Sequence, residues 1–304
     1  MTTKPTLTVG FPSFDAAPRG SWRGLLDLAR STEDAGVDRL IVSDHVVMGY
    51  NVHEYSWGPF PQTPETPWLE PLSLLSALAA VTSSIRLATN IVIAPLRPGA
   101  LLAKTVATLD VVSGGRVDLG VGTGWQREEY IAEGLDFDKR GQLLTDTIAA
   151  CRALWENTPS DLESPTLSFR QIVCLPKPLQ SRLPVWFAGV LHRRNVSRIV
   201  ELGDGWIPIM GATLDEVRAG VDLLRREFHD AGRSPDQLVA RMPIRVCRNH
   251  DGALDPAATV AQVPEMLASG VSDFQVGLLS VTKNAEDPDA ALRSLVNAFG
   301  DAAR

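Results

Sequence analysis

Between Ile85 and Glu129 the chain reads as strand, helix, strand and then a glycine-rich turn, and no other stretch restricts the fold as strongly. Ile85 to Ile93 (IRLATNIVI) is an almost unbroken apolar, β-branched run. Leu101 to Val112 has helical spacing, and Arg116 to Val121 is a second short apolar strand. Strands apolar on both faces belong to a parallel sheet covered by helices. The turn after it, Gly120 to Glu129 (GVGTGWQREE), falls at the carboxyl end of the second strand. Parallel sheets, open or closed, bind ligands at that end, so these glycines mark a ligand site.

The βα pattern recurs along the whole chain. Strands are predicted at Leu7 to Phe11, Arg39 to Ser43, Arg86 to Ile93, Arg116 to Val121, Pro184 to Ala188, Gly205 to Ile209, Val239 to Val246 and Asp273 to Gly277. Helical spacing follows each one: Trp22 to Ala35, Glu70 to Ala80, Leu101 to Val112, Glu129 to Leu154 with a break, Arg193 to Leu202, Leu214 to Ala231, Ala257 to Ser269 and Pro288 to Phe299. Strand and helix in such alternation predict a (β/α)8 TIM barrel as a single domain over residues 1–304. Gly36, Gly203 and Gly270 each separate a helix from the next strand, where a left-handed cap is expected. Long insertions after strands 2 and 4, Val46 to Pro67 and Thr158 to Leu183, are expected to shape or cover the site. The open dinucleotide fold is the poorer reading. Its fingerprint requires G-x-G-x-x-G early in the chain, whereas Gly120, Gly122 and Gly124 are spaced G-x-G-x-G and Trp125 stands in the place of the last glycine.

Composition narrows the function. The net charge of −7, with no block of like charge, argues against nucleic acid and membrane surfaces as partners. The N-terminus lacks a basic segment followed by an apolar core, and no apolar run approaches a bilayer span, so a cytoplasmic location is expected. Cys151, Cys174 and Cys247 fall in no metal-spaced motif, and no metal site is expected.

Ser43-Asp44-His45 closes the second strand and brings a carboxylate and an imidazole to the ligand-binding rim, where they can orient a ring or move a proton. Asn90 is an amide in an apolar strand and needs a partner if buried. In the fifth unit, strand Pro184 to Ala188 runs through Gly189 into a helix whose first turn carries Arg193 and Arg194, an arrangement suited to phosphate.

The segments SDHVV, LATNIVIAPLRPGALLAKTVATLDVVSGGRVDLGVGTGWQREEY, PVWFAG and ELGDGWIP resemble the bacterial luciferase-like monooxygenase superfamily, most closely its coenzyme F420-dependent oxidoreductase branch. The resemblance runs from the first strand to Pro208. It implies hydride transfer between F420 and a small organic substrate, with His45 beside the deazaflavin ring and Asp44 positioning it. It also implies a non-proline cis bond at Asn90-Ile91 against the ring and cofactor contacts from Gly122, Thr123 and Gly124. The phosphate end would meet Gly189, Val190, Leu191, His192 and Arg193, and a substrate pocket would include Trp57, Trp68 and Trp125, with Tyr55 and Phe60 near them. Two departures stand out: Val190-Leu191-His192 replaces the small hydroxyl residues of many relatives, and Trp125 replaces the glutamate of the sugar-phosphate dehydrogenases. The resemblance further implies a homodimer. FMN in place of F420, in an O2-using monooxygenase served by a flavin reductase, is one alternative, and a non-catalytic flavin-binding barrel is another.

Overall fold

The computed structural model describes residues 4–15 and 21–304. In chain order, β1 (Thr6–Gly10) leads to α1 (Gly24–Asp34) and β2 (Arg39–Val42) to α2 (Pro71–Ala79). The third strand lies in two pieces, β3 (Arg86–Thr89) and β4 (Val92–Ile93), with the cis peptide bond Asn90-Ile91 between them, and leads to α3 (Gly99–Ser113). After β5 (Val117–Gly122) come α4 (Arg127–Ala132), α5 (Arg140–Glu156) and a hairpin of β6 (Ser160–Glu163) and β7 (Ser168–Ile172). Next, β8 (Val185–Ala188) precedes α6 (Arg193–Leu202), and β9 (Gly205–Ile207) precedes α7 (Leu214–Asp230). The last two units are β10 (Val239–Pro243) with α8 (Pro256–Val260) and α9 (Val263–Ala268), and β11 (Asp273–Gly277) with α10 (Leu278–Thr282) and α11 (Pro288–Ala302).

The barrel strands are all parallel to their neighbours. β1 pairs with β2 and β11, β2 with β3, and so on round the sheet to β9, β10 and β11. Pairing of β3 and β4 with β5, and of β5 with β8, closes it. The predicted (β/α)8 barrel is therefore present, and its strands start and stop close to where their apolar runs do. Side chains such as Leu40, Leu87, Leu119, Val185 and Phe274 are fully buried, consistent with strands covered on both faces.

Helix ends follow backbone chemistry. Gly36 and Gly270 adopt φ +87°, the left-handed conformation expected at a helix C-terminus. Gly203 does not: its φ is −101°, so it is extended rather than a left-handed cap. What requires glycine there is space, because a Cβ at 203 would stand 2.9 Å from the Phe187 ring and about as close to the backbone of Ile199. The expected break in the fourth helix falls at Gly134 (φ +68°), between α4 and α5. The seventh helix is also divided, with Pro264 in the first turn of α9, where its missing N–H costs least.

Both long insertions are present but have different places. The first joins β2 to α2 and reaches over the strand carboxyl ends. The second leaves the C-terminus of α5 rather than a strand, so it does not cover the site as expected. Its hairpin packs on the outside of the helices: Thr166 donates to Asp146 of α5 from both its N–H (2.9 Å) and its hydroxyl (2.6 Å). Leu167 lies against Gly99 at the start of α3.

The lower part of the barrel interior holds charge. Arg39 donates to Asp118 at 2.8 Å and to Asp273, and Arg241 donates to Asp273 at 2.6 Å. Arg86 donates to Asp118 at 2.6 Å, and the hydroxyls of Thr6 and Thr8 complete the shell of Asp273. The Arg39 and Arg241 guanidinium groups lie 4.6 and 4.4 Å from the centre of the Trp186 ring. Burial would push the Asp273 carboxyl up, but Arg241 and Arg39 outweigh it and hold it below its ordinary value.

Candidate active site

Above this ionic layer, at the carboxyl ends of the strands, lies a cavity of about 1160 Å³. Fourteen of the fifteen cofactor, catalytic and pocket residues expected from the sequence line it: Asp44, His45, Trp57, Trp68, Asn90, Ile91, Gly122, Thr123, Gly124, Trp125, Gly189, Val190, His192 and Arg193. Leu191 does not. Its side chain turns toward α7, beside Gly220.

His45 is reached in two steps of local structure. β2 ends at Val42, and Ser43 N–H donates to Ser13 Oγ at 3.3 Å. The buried Glu129 of α4 then fixes the next turn of chain: one oxygen accepts from the backbone N–H of Val46 (2.9 Å) and the other lies 3.2 Å from His45 Nδ1. A carboxylate accepts only, so Nδ1 carries the proton and Nε2 is left without a protein partner among the described residues. Asp44 has a different task from the one expected. Its carboxylate accepts from the N–H of Ile93 (2.8 Å) and from both ends of the Arg97 guanidinium (2.7 and 3.0 Å). It thus ties the rim to the segment after the cis bond, and the partner of His45 is Glu129. Arg97 also reaches Glu70, the N-cap of α2, at 2.9 Å. Burial alone would lower the pKa of Arg97, but Asp44 and then Glu70 outweigh it and hold the guanidinium above its ordinary value.

The glycine-rich turn forms a flat shelf. A Cβ at Gly122 would stand 2.9 Å from Ile91 Cδ1, and one at Gly124, which has φ +64°, would stand 2.9 Å from Ile93 Cδ1. Only glycine lets this backbone close on the third strand. Tyr130, fully buried on α4, donates its hydroxyl to the carbonyl of Thr123 at 2.5 Å and holds the turn from behind. On the floor, Asn90 donates to Gln275 and accepts from Arg241, both at 3.3 Å, which satisfies the amide in its apolar strand.

The far end is basic. Arg193 and Arg194 open α6 and are exposed, with no hydrogen bond or ion pair among the described residues. Arg140 opens α5 with its guanidinium 4.0 Å from the centre of the Phe137 ring, and buried Arg198 crosses from α6 to Gly141 and Thr145 of α5. Burial, then Arg194, pull the Arg198 guanidinium below its ordinary value. The carboxylates on this wall are Asp138, paired with Arg127 at 3.1 Å, and Glu201. Two helix N-termini and four guanidinium groups thus meet at this end of the cavity, giving it a positive potential.

The sequence pattern locates the rim but not its supports. Arg97 lies in PLRPG, where nothing marks an ion pair. The tethers made by Tyr130 and Glu129 are visible only once α4 is folded against the loop after β2.

The closed parallel sheet and the cavity define an α/β barrel whose candidate site lies at the carboxyl ends of its strands. The luciferase-like monooxygenase family model matches residues 6–295, and the chain belongs to that family. An uncharacterised protein of Mycobacterium tuberculosis is 37% identical over 174 residues, 57% of this chain, and the match spans only 61% of that relative's own length. Among solved structures, monooxygenase RslO1 from Streptomyces bottropensis is similar with a TM-score of 0.79 at 18% identity, covering 97% of this chain and 99% of that one. An F420-dependent secondary alcohol dehydrogenase, in complex with an F420-acetone adduct, gives 0.77 at 16% identity, covering 99% of each chain. At these identities the likeness is one of fold.

Proposed function

We propose that this protein is a coenzyme F420-dependent oxidoreductase that moves hydride between the deazaflavin and a small organic substrate, with His45 as its proton-handling residue. The observation that carries the choice of cofactor is the cluster of Arg140, Arg193, Arg194 and Arg198 at one end of the cavity. FMN ends in a single phosphate, whereas the F420 side chain runs through a phosphate diester into a chain of glutamates. Four guanidinium groups facing two carboxylates, one of them already paired, suit several negative charges better than one.

The residues fit such a molecule. The shelf of Ile91, Gly122, Thr123 and Gly124, with no side chain at 122 or 124, suits a flat ring, with Asn90 at its edge. Gly189, Val190, the backbone of Leu191, His192 and Arg193 would hold the phosphate end. When bound, the cofactor supplies or accepts the hydride. The protein's own part comes from the geometry. Glu129 holds Nδ1–H of His45, so Nε2 is the nitrogen that takes a proton from, or returns one to, a substrate oxygen. Asp44 and Arg97 keep the segment at Ile93 against the rim. The loop after β2 places Tyr55, Trp57 and Phe60 along the cavity wall.

The test is a side-by-side titration of the full chain with F420 and FMN, followed by fluorescence. Binding of F420 at least about tenfold tighter is the expected result. The reverse preference would replace this reading with an FMN-dependent monooxygenase that needs a reductase partner.

A further inference from the structure

Around His45 the cavity wall is made of rings. The imidazole lies 4.7 Å from the Trp68 ring and 6.0 Å from Phe60 and Trp125, centre to centre. Tyr55 touches Trp57, Phe60 and Trp125, each at 5.2 Å, and its hydroxyl comes within 3.9 Å of Met210 Sδ on the loop after β9. These rings come from the loop after β2 and from the glycine-rich turn, so they converge from two separate units of the barrel.

Charge is accounted for elsewhere. Asp44 is neutralised by Arg97, and Glu129 is occupied by His45 and Val46. The four arginines all stand at the other end, on α5 and α6. An ionised group brought beside these rings would give up water and meet no counterion among the described residues, which disfavours it there. A neutral molecule would instead exchange water for ring faces that bury large apolar areas.

We infer that the part of the cavity lined by His45 and the ring cluster selects an uncharged, largely apolar substrate carrying one hydroxyl or carbonyl group, and excludes carboxylates and phosphate esters. Anionic recognition is confined to the cofactor end. Tyr55 is the specificity-determining residue, because it bridges the loop, the glycine-rich turn and Met210. The inference rests on the reading of this cavity as a joint cofactor and substrate site.

Three probes share a 2-phenylethyl group and differ in the end they carry: a neutral ketone in 4-phenyl-2-butanone, an anion in 3-phenylpropanoate and a cation in 3-phenylpropylammonium. Each is titrated by tryptophan fluorescence and calorimetry into the full chain, alone and loaded with F420 or FMN. The ketone is expected to bind at least about tenfold tighter than either ion. Tyr55→Ala is expected to weaken the ketone about tenfold while leaving the F420 titration unmoved. Equal or tighter binding of the carboxylate overturns the inference, as does a preference for the ammonium, which would mark a cation cage, or a ketone titration without saturation. A preference for FMN with the ketone still favoured would sink the proposed cofactor and leave the substrate class standing. F420 binding with a flat probe series would do the opposite.

Discussion

The two ends of the barrel use the same residue types for opposite purposes. At the amino ends of the strands, Arg39, Arg241, Asp118 and Asp273 are buried and matched in number, with Arg86 joining at the edge and Trp186 between two of the guanidinium groups. At the carboxyl ends, Arg193 and Arg194 are exposed and unpaired among the described residues, and one ring nitrogen of His45 has no protein partner among them. Matched charge fills the interior and fixes the strands. Unmatched charge waits for a ligand. Which role an arginine plays is therefore set by whether a carboxylate faces it, and each end should answer mutation with a different measurement.

The largest effect is expected at His45. His45→Asn should lower kcat by about 10²- to 10⁴-fold, the usual worth of a positioned acid or base, with an unchanged melting temperature. A fall in stability instead would place His45 with the structural end. Glu129→Gln should lower kcat less and displace the pH profile, because the amide can donate to Nδ1 and permit the other tautomer. Steady-state kinetics across pH with the loaded enzyme separates the two.

Next comes Asp273→Ala, which leaves Arg39 and Arg241 buried without their shared carboxylate. Removing one partner of a buried ion pair costs about 3–5 kcal/mol, read as a lower urea midpoint. Cofactor affinity, measured under conditions where the variant is folded, should stay the same. Lost affinity with intact stability would break the distinction between the two ends.

How much of this is legible in the sequence divides in the same way. The strands are readable because each is apolar on both faces, and only a covered parallel sheet explains eight such runs. The rim residues are readable because they end those strands, so Asp44, His45, Asn90 and Gly122 to Gly124 all reach the cavity. Roles set by long-range partners are not. Asp44 precedes His45 in the chain but belongs to Arg97, and the orienting group for His45 comes from Glu129, 84 residues on. Nor can local patterning show that Leu191 turns toward α7, whereas the predicted helix ending at Leu154 already placed Thr158 to Leu183 after a helix. Adjacency in sequence sets position on the rim, whereas side-chain pairing is a property of the closed barrel.

A smaller effect is expected from Arg193→Ala with Arg194→Ala. Neither side chain has an internal partner among the described residues, so stability should hold within about 0.5 kcal/mol. F420 affinity should fall about tenfold or more and become less salt-dependent, since exposed charge pairs are screened. FMN affinity should change less if the cluster serves a longer anionic tail. Equal losses for both cofactors would confine the two arginines to a single phosphate.

The smallest effect belongs to Glu33, at the matched end, near the C-terminus of α1. Its carboxylate accepts from the N–H groups of Ser83 (2.9 Å), Ser84 (2.5 Å) and Ile85 (2.9 Å) just ahead of β3. Burial would raise its pKa, but these hydrogen bonds outweigh it and lower the value from 4.5 to about 2. A carboxyl depressed in the folded state contributes stability above its unfolded value near 4.5, and that contribution is lost as pH falls from there through about 2. Solvent screens this partly exposed group, so the contribution is about 1 kcal/mol rather than the full value of the shift. Wild type should therefore exceed Glu33→Gln in urea midpoint at neutral pH, and the gap should close as pH drops toward 2, where the neutral acid and the amide are alike. Other titrating groups are common to both proteins and cancel in the difference. A gap that persists at low pH would mean that the latch works through shape alone, and that charge at this end matters only inside the barrel.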